Sequence, residues 1–432
     1  MKSKEKIPVV AKEALIPFIL ITSLFALWGF ANDVTTPMVA AFGTVMEISA
    51  AKSALIQCAF YGGYATMAIP AALFVRKYSY KNAIILGLSL YAIGAFLFYP
   101  AAQYEIFEFF LFSLYILTFG LAFLETAANP FILSMGDERT ATRRLNLAQA
   151  FNPIGALLGM FVASKFVLSH LDSEKRNAAG ELIFTTFDSA QKAIIRTHDL
   201  AIIRNPYLIL GVVVVVMLIL IAIVKMPKRE KVEEQGSAMD SFKRLINNGK
   251  YREGVVAQLF YVAAQIMCWT FIIHYADNLG IAKAEAQNYN IAAMGMFLIS
   301  RFICTFLMKY VNSRKLLTIF AVCAMVTTLC TVFIEGLAGL YFLVATSFFM
   351  SLMFPTIYGI ALHGLNEEDS TLGAAGLVMA IVGGAIMPIL QGAIIDFKTI
   401  GVFAAVNISF LLPFMCFCII AIYGYRTLKV HN

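Results

Sequence analysis

Residues 107–135 read FEFFLFSLYILTFGLAFLETAANPFILSM, an apolar stretch long enough to cross a lipid bilayer as one helix. Near its middle stands one carboxylate, Glu125. A charged group at membrane depth is costly, and it usually marks a proton relay, an ion site or the site of a polar substrate. The stretch predicts a membrane-spanning helix that carries a functional carboxyl group.

Composition extends this prediction to the whole chain. The 432 residues are 60% hydrophobic and 14% charged, with a mean hydropathy of +0.79. A soluble domain would carry about a quarter charged residues. The apolar runs are long enough for helices rather than barrel strands. The seven cysteines lie inside these runs without metal-ligand spacing, so we expect no metal site, disulfide framework or cofactor. The chain has a net charge of +7, and its basic residues fall in short loops between the apolar runs. Membrane topology explains this distribution, so the charge does not indicate nucleic-acid binding.

Twelve such runs predict an all-α membrane protein with twelve transmembrane helices. With a cytoplasmic N-terminus, the cytoplasmic segments hold 23 Lys and Arg residues and the outer segments hold 8. This bias favours cytoplasmic termini. We expect no cleaved signal peptide. The spans are expected at about 17–46, 53–75, 82–101, 107–135, 144–170, 205–226, 251–276, 285–308, 316–334, 339–364, 373–395 and 401–424.

A charged segment divides these spans into two sets of six. It covers residues 227–250, so the predicted domains are an N-terminal half, 1–226, a cytoplasmic linker and a C-terminal half, 251–432. Basic loops at 76–81 and 309–315 occupy corresponding positions in the two halves. Six-helix halves related as parallel repeats, with a site near the membrane midplane, are typical of the major facilitator fold. The polar outer segment 172–200 is expected to be a solvated loop with a short amphipathic helix.

The fourth and first spans supply the candidate proton carriers. Asn129 follows Glu125 by four residues and shares its helix face. Asp33 is a second intramembrane carboxylate, with Asn32 and Thr36 within one turn of it. Two desolvated carboxyls can share protons. A buried structural carboxyl at Glu125 and a helix-capping one at Asp33 are the alternatives.

Polar stripes in later spans suggest a ligand rich in hydroxyl groups. Asn146, Gln149 and Asn152 recur at helical spacing in span five, and amides offer both donors and acceptors. The Gly155-xxx-Gly159 pair that follows predicts a close helix contact. In span seven, Gln265 and Trp269 lie on one face together with Gln258 and Tyr261, although an interfacial aromatic belt is an alternative for Trp269. Arg301 in span eight is either a gate or coupling partner, or a structurally paired cation.

The sequence shows no phosphate-binding Gly-rich loop, nucleophile elbow or metal-ligand cluster. We therefore expect a protein that is not an enzyme. It also lacks an ATP-binding domain, so uphill transport would draw on an ion gradient.

At these residues the chain resembles the fucose–galactose–glucose:proton symporters of the major facilitator superfamily. The resemblance rests on LETAANPF at 124–131, RLNLAQAFN at 144–152, parts of 261–276, Arg301-Phe302 and 354–356. It implies that Glu125 carries the proton, that Gln149 and Asn152 are polar cavity residues, and that Trp28, Asn32 and Trp269 line the sugar cavity. Two positions depart from the family pattern. Thr36 stands where the family has an aspartate, and Phe354 stands where it has a tyrosine.

The expectation is a proton-coupled symporter that imports a neutral monosaccharide by alternating access, with L-fucose the leading substrate. Glucose, galactose or an amino sugar is the runner-up, and a non-transporting sugar sensor is a competing class. The expected setting is the bacterial inner membrane, as a monomer whose partners are sugar, proton and lipid bilayer. The predicted proton-coupling residues are Glu125 and Asp33, and the predicted substrate-binding residues are Trp28, Asn32, Thr36, Asn129, Gln149, Asn152, Gln265 and Trp269.

Overall fold

The structure is a computed structural model. It describes residues 8–48, 52, 55–175, 177, 183–226, 237–281, 283–395, 397, 399–401 and 403–429. Within them, twelve helical segments are long and apolar enough to cross a membrane. The predicted twelve-span, all-α architecture is confirmed.

Several spans are built from two consecutive helices. The helices are α1 (Leu15–Val45), α2 (Leu55–Lys77), α3 (Tyr80–Tyr104), α4 (Phe107–Leu133), α5 (Ala141–Gln149), α6 (Asn152–Val162), α7 (Ser189–Ile223), α8 (Ala238–Asn247), α9 (Gly249–Thr270), α10 (Ile272–Asn278), α11 (Lys283–Leu307), α12 (Ser313–Phe333), α13 (Leu337–Met350), α14 (Met353–Leu362), α15 (Glu367–Met379), α16 (Gly383–Ile395), α17 (Ala405–Ser409) and α18 (Leu411–Lys429). Two short antiparallel strands, β1 (Thr399–Ile400) and β2 (Phe403–Ala404), precede α17.

The helices form two compact units. The larger unit contains residues 1–18, 128–150 and 227–432, and the smaller unit contains residues 19–127 and 151–226. In the larger unit α9 packs against α14, α16 and α18, while α12 packs against α13 and α18. In the smaller unit α3 packs along α7. The division into halves at 227–250 stays a prediction.

The breaks inside the spans fall beside predicted site residues. Span five breaks between Gln149 and Asn152, and span seven breaks just after Trp269. The first break has a local cause. Pro153 has no N–H to donate to the carbonyl of Gln149, four residues earlier. Irregular backbone at membrane depth is tolerated where it is buried in protein or lines a cavity.

Arg144 fixes the end of α4 within the larger unit. Its side chain is fully buried and donates to main-chain carbonyls of Ile132, Leu133 and Val9. The last carbonyls of a helix lack partners inside it, and a cation at this end also suits the helix dipole. Arg144 thereby anchors the helix that carries Glu125.

The segment 172–200, which the sequence places outside the membrane as a solvated loop, differs in part from that expectation. Helix α7 begins at Ser189, because Asp188 and Gln191 form a capping box at its start. Asp199, placed in the loop by the sequence, is fully buried. Its carboxylate accepts the main-chain N–H groups of Asp172 and Ser173 at 3.0 and 2.8 Å. The expectation of a solvated segment is therefore wrong for Asp199 and Leu200, whereas residues 189–198 of the helix are exposed or half-buried.

Candidate functional site

Glu125 is half-buried in α4, and its oxygen Oε2 is shielded from solvent. Tyr64 in α2 is buried and close enough to interact electrostatically with this carboxyl group. An ionised carboxylate in such a setting is strongly disfavoured unless it is compensated, whereas the protonated acid can also donate a hydrogen bond. The position suits a group that changes its protonation state.

Asp33 occupies a similar setting in α1. Asn32 donates a hydrogen bond from Nδ2 to the Asp33 carboxylate at 3.3 Å. Tyr61 in α2 interacts electrostatically with Asp33 and with Tyr64 one turn away. Helix α2 thus presents one tyrosine to Asp33 and one to Glu125. We did not predict either tyrosine, although their spacing of three in FYGGY, residues 60–64, was a readable signal.

Trp28 is almost fully buried in α1, with its ring edge-on to Phe25 at a centroid distance of 4.5 Å. The backbone of Thr36 lies in the same helix, while its side chain lies outside the described part of the chain. The role predicted for Thr36 stays a prediction.

Glycines bring α1 and α6 into backbone contact. A Cβ on Gly155 would lie 1.8 Å from the carbonyl oxygen of Ala26, and one on Gly29 would lie 2.0 Å from that of Asn152. This confirms the close helix contact predicted from the Gly155-xxx-Gly159 spacing. Asn152 adds a hydrogen bond from Nδ2 to the Phe25 carbonyl at 3.3 Å, so its amide is held against span one.

In the larger unit, the structure brings three predicted residues together. Gln149 donates from Nε2 to Oδ1 of the fully buried Asn129 at 2.9 Å. Arg301 in α11 donates from Nη1 to the main-chain carbonyl of Gln149 at 3.1 Å. This is the carbonyl that receives no helical hydrogen bond from Pro153, because proline has no N–H. Arg301 therefore stabilises the break in span five and holds the backbone of the amide pair.

Trp269 belongs to an aromatic cluster with the same arginine. Its Nε1 donates to Oγ of Ser347 at 3.1 Å, and its ring lies edge-on to Phe297 at 5.1 Å. The Arg301 guanidinium lies over the same Phe297 ring, 4.7 Å from its centroid. Trp269 and Gln265, one turn before it, are each half-buried. The hydrogen bond from its N–H and the edge-on contact with Phe297 together fix the orientation of the indole. A ring that stacks on a sugar needs a fixed orientation of this kind.

The polar stripe of span five has a further buried member. Asn146 donates to Oγ1 of Thr356 in α14 at 3.2 Å and to the carbonyl of Thr142 at 3.0 Å. Phe354, which replaces the family's tyrosine, packs near the rings of Tyr261 and Tyr358. The sequence did not reveal these partners, because they lie on other helices.

Among the described residues, one cluster has ligand atoms close enough together to hold a metal ion. It consists of Asp172, His198 and Asp199. Each carboxylate already has donors, because Lys175 contacts Asp172 at 2.6 Å and main-chain N–H groups serve Asp199. The group is explained by the fold of the outer segment.

The chain was compared with known proteins. The family model described as Major Facilitator Superfamily matches residues 18–388. The chain is 64% identical to the L-fucose-proton symporter of Haemophilus influenzae, over 98% of this chain and 99% of that protein. It is 32% identical to a glucose/galactose transporter of Brucella abortus, over 94% and 92% of the two chains.

The fold matches a solved structure over nearly its whole length. The crystal structure of the Escherichia coli fucose:proton symporter FucP in the outward conformation superimposes with a TM-score of 0.86 at 34% identity, covering 96% of this chain and 99% of that one. The chain belongs to the major facilitator superfamily and, within it, to the family of fucose–galactose–glucose:proton symporters.

Proposed function

We propose that the protein is a proton-coupled symporter that imports L-fucose by alternating access. The observation that carries the proposal is the half-buried carboxyl of Glu125, one helical turn before the Asn129–Gln149 amide pair. A carboxyl can bind and release the driving proton, while amides can bind sugar hydroxyls. Relatives at 64% and 35% identity are named L-fucose-proton symporters.

The proton acts through electrostatics. With Glu125 ionised, closing the site around the carboxylate would remove a negative charge from water, which is costly. Protonation removes that charge, so a loaded site can close and reopen towards the cytoplasm. Asp33, linked to the same region of the smaller unit through Tyr61 and Tyr64, is the second candidate carrier.

The substrate class follows from the side chains at the predicted site. Trp28 and Trp269 offer aromatic faces for the C–H face of a sugar ring, and Gln149 and Asn152 offer amides for its hydroxyls. Glucose or galactose remains the second candidate, because relatives at 32% identity are named for those sugars.

The setting is a bacterial inner membrane, with both termini cytoplasmic and the protein a monomer. The orientation rests on the 23 to 8 distribution of Lys and Arg between cytoplasmic and outer segments.

The test uses the purified protein in proteoliposomes. Uptake of labelled L-fucose should follow an imposed proton gradient, collapse with a protonophore and need no sodium, and L-fucose should exceed glucose and galactose. Uptake that depends on sodium and survives the protonophore would overturn the coupling ion. A preference for glucose would overturn the substrate.

Glu125→Gln gives the sharper test of mechanism. The amide resembles the protonated acid but cannot exchange a proton. We expect loss of accumulation against a gradient, with sugar counterflow retained. Glu108→Gln is a matched control, because Glu108 lies at the start of the same helix and is exposed, paired with Lys52. Accumulation by Glu125→Gln at the control's level would show that another group carries the proton.

A further inference from the structure

Helix α8, in the segment between spans six and seven, has an apolar face that no part of the described chain covers. Met239, Phe242 and Ile246 are exposed by 60%, 48% and 45%. At 100° per residue these three side chains fall within an arc of about 60°. A stripe of this kind on a short, otherwise polar helix is typical of helices that lie in a membrane interface.

The opposite side of α8 is fixed to the protein. Arg244 forms two hydrogen bonds with the carboxylate of Asp369, at 2.9 and 2.7 Å. Leu245 is buried and packs beside Gly373 in α15. The helix therefore cannot roll its apolar stripe inward without breaking these contacts, and the direction of the stripe is set by the fold.

The position of α8 in the chain indicates which surface faces the apolar stripe. Asn248 alone separates α8 from α9, whose first residue, Gly249, begins a membrane span. Two steps of about 3.8 Å keep the end of α8 within about 7.6 Å of that start. The C-terminal end of α8 is thereby held close to the start of that span.

Charge and composition agree with a lipid surface. Lys243, exposed, flanks the stripe, and Arg252 is exposed one turn into α9, so both can meet headgroup phosphates. Residues 227–236, which precede α8, contain six charged side chains and one aliphatic residue, Val232. With one aliphatic residue among ten, this sequence has no apolar surface that could cover the stripe on α8.

We propose that Met239, Phe242 and Ile246 insert into the cytoplasmic leaflet of the phospholipid bilayer that surrounds the protein, so that α8 is an interfacial anchor for the segment joining the two six-span sets. The proposal rests on the membrane insertion and orientation given above, and it adds a lipid contact site to them.

Brominated lipids test the insertion in the full-length protein. Phe242→Trp places an indole in the stripe, and Asp240→Trp places one about 200° away around the same helix. Both variants are reconstituted into vesicles of phosphatidylcholine and phosphatidylglycerol with or without bromine on the acyl chains. The wild-type signal from Trp28 and Trp269 is subtracted, and fucose uptake by each variant reports that it is folded.

We expect bromine to quench at least about half of the fluorescence added by Phe242→Trp, as for a residue below the headgroups, and little of that added by Asp240→Trp. Equal quenching of the two, or an unquenched Phe242→Trp in a protein that still transports, would overturn the proposal while leaving the transport function standing. The second result would indicate that another protein surface covers the stripe.

Discussion

Gly155→Ala tests the closest helix contact in the structure. The added Cβ would lie 1.8 Å from the Ala26 carbonyl oxygen, and 2.6 and 2.8 Å from two more backbone atoms of Ala26. Real Cβ atoms essentially never come within 3.0 Å of a heavy atom outside their own residue and its chain neighbours. Since backbone atoms cannot rotate aside, α6 and α1 must separate by about 1 Å or the helices must bend.

The expected change in the free energy of unfolding is the sum of two opposed effects. Overpacking of this kind costs about 1–3 kcal/mol, while Ala in place of Gly gains about 1 kcal/mol of helix propensity. Gly295→Ala isolates the second effect, because a Cβ there meets no atom within 4 Å. We expect Gly155→Ala to be about 1–3 kcal/mol less stable than Gly295→Ala.

The assay is thermal unfolding of the two variants in detergent, together with fucose uptake in proteoliposomes. Uptake should fall for Gly155→Ala, because Trp28 and Asn32 lie on the helix that is displaced, and it should be unchanged for Gly295→Ala. A Gly155→Ala protein that melts at or above the temperature of Gly295→Ala would refute the backbone contact.

Three further predictions concern charged groups. Asp33→Asn should impair proton-driven uptake much more than Thr36→Ala; a normal rate and pH profile for Asp33→Asn would make that carboxylate structural. Arg301→Lys should lower uptake about tenfold or more, because a lysine loses the flat stacking surface and the fixed donor geometry of the guanidinium; a wild-type rate would contradict this. The Lys192 hydrogen bond lowers the pKa of Glu47 below 4.5, so its stabilising ion pairs persist above that pH and are lost as pH falls below it. The melting temperature of Glu47→Gln should therefore lie below that of wild type at pH 7, and the difference should shrink only as pH falls through the lowered pKa of Glu47.

The sequence was sufficient for the architecture, because hydropathy over twenty residues depends on composition and little on partners. Helical spacing also placed Glu125 and Asn129 on one face and identified Gly155 as a contact residue. Each of these depends on one helix at a time.

The sequence did not predict which side chains of different helices contact each other. The hydrogen bond from Gln149 to Asn129 joins side chains twenty positions apart. Tyr61 and Tyr64 become relevant only because α2 turns them towards two carboxyls. Asp199 looked like a loop residue, since an isolated aspartate at a span boundary is normally solvated, and its burial depends on the 3₁₀ turn that it caps.

Arg301 makes one contact that bears on the two roles that the sequence left open. A coupling partner would be expected to pair with a carboxylate, whereas a structural cation would satisfy backbone. The guanidinium donates to the Gln149 carbonyl, which Pro153 leaves without its helical donor. The same residue then offers its Nε2 to Asn129. We therefore expect Arg301 to act on the predicted site through the backbone of Gln149. On this proposal its permanent charge holds the amide pair in position, while Glu125 supplies the change of charge that we expect to drive transport.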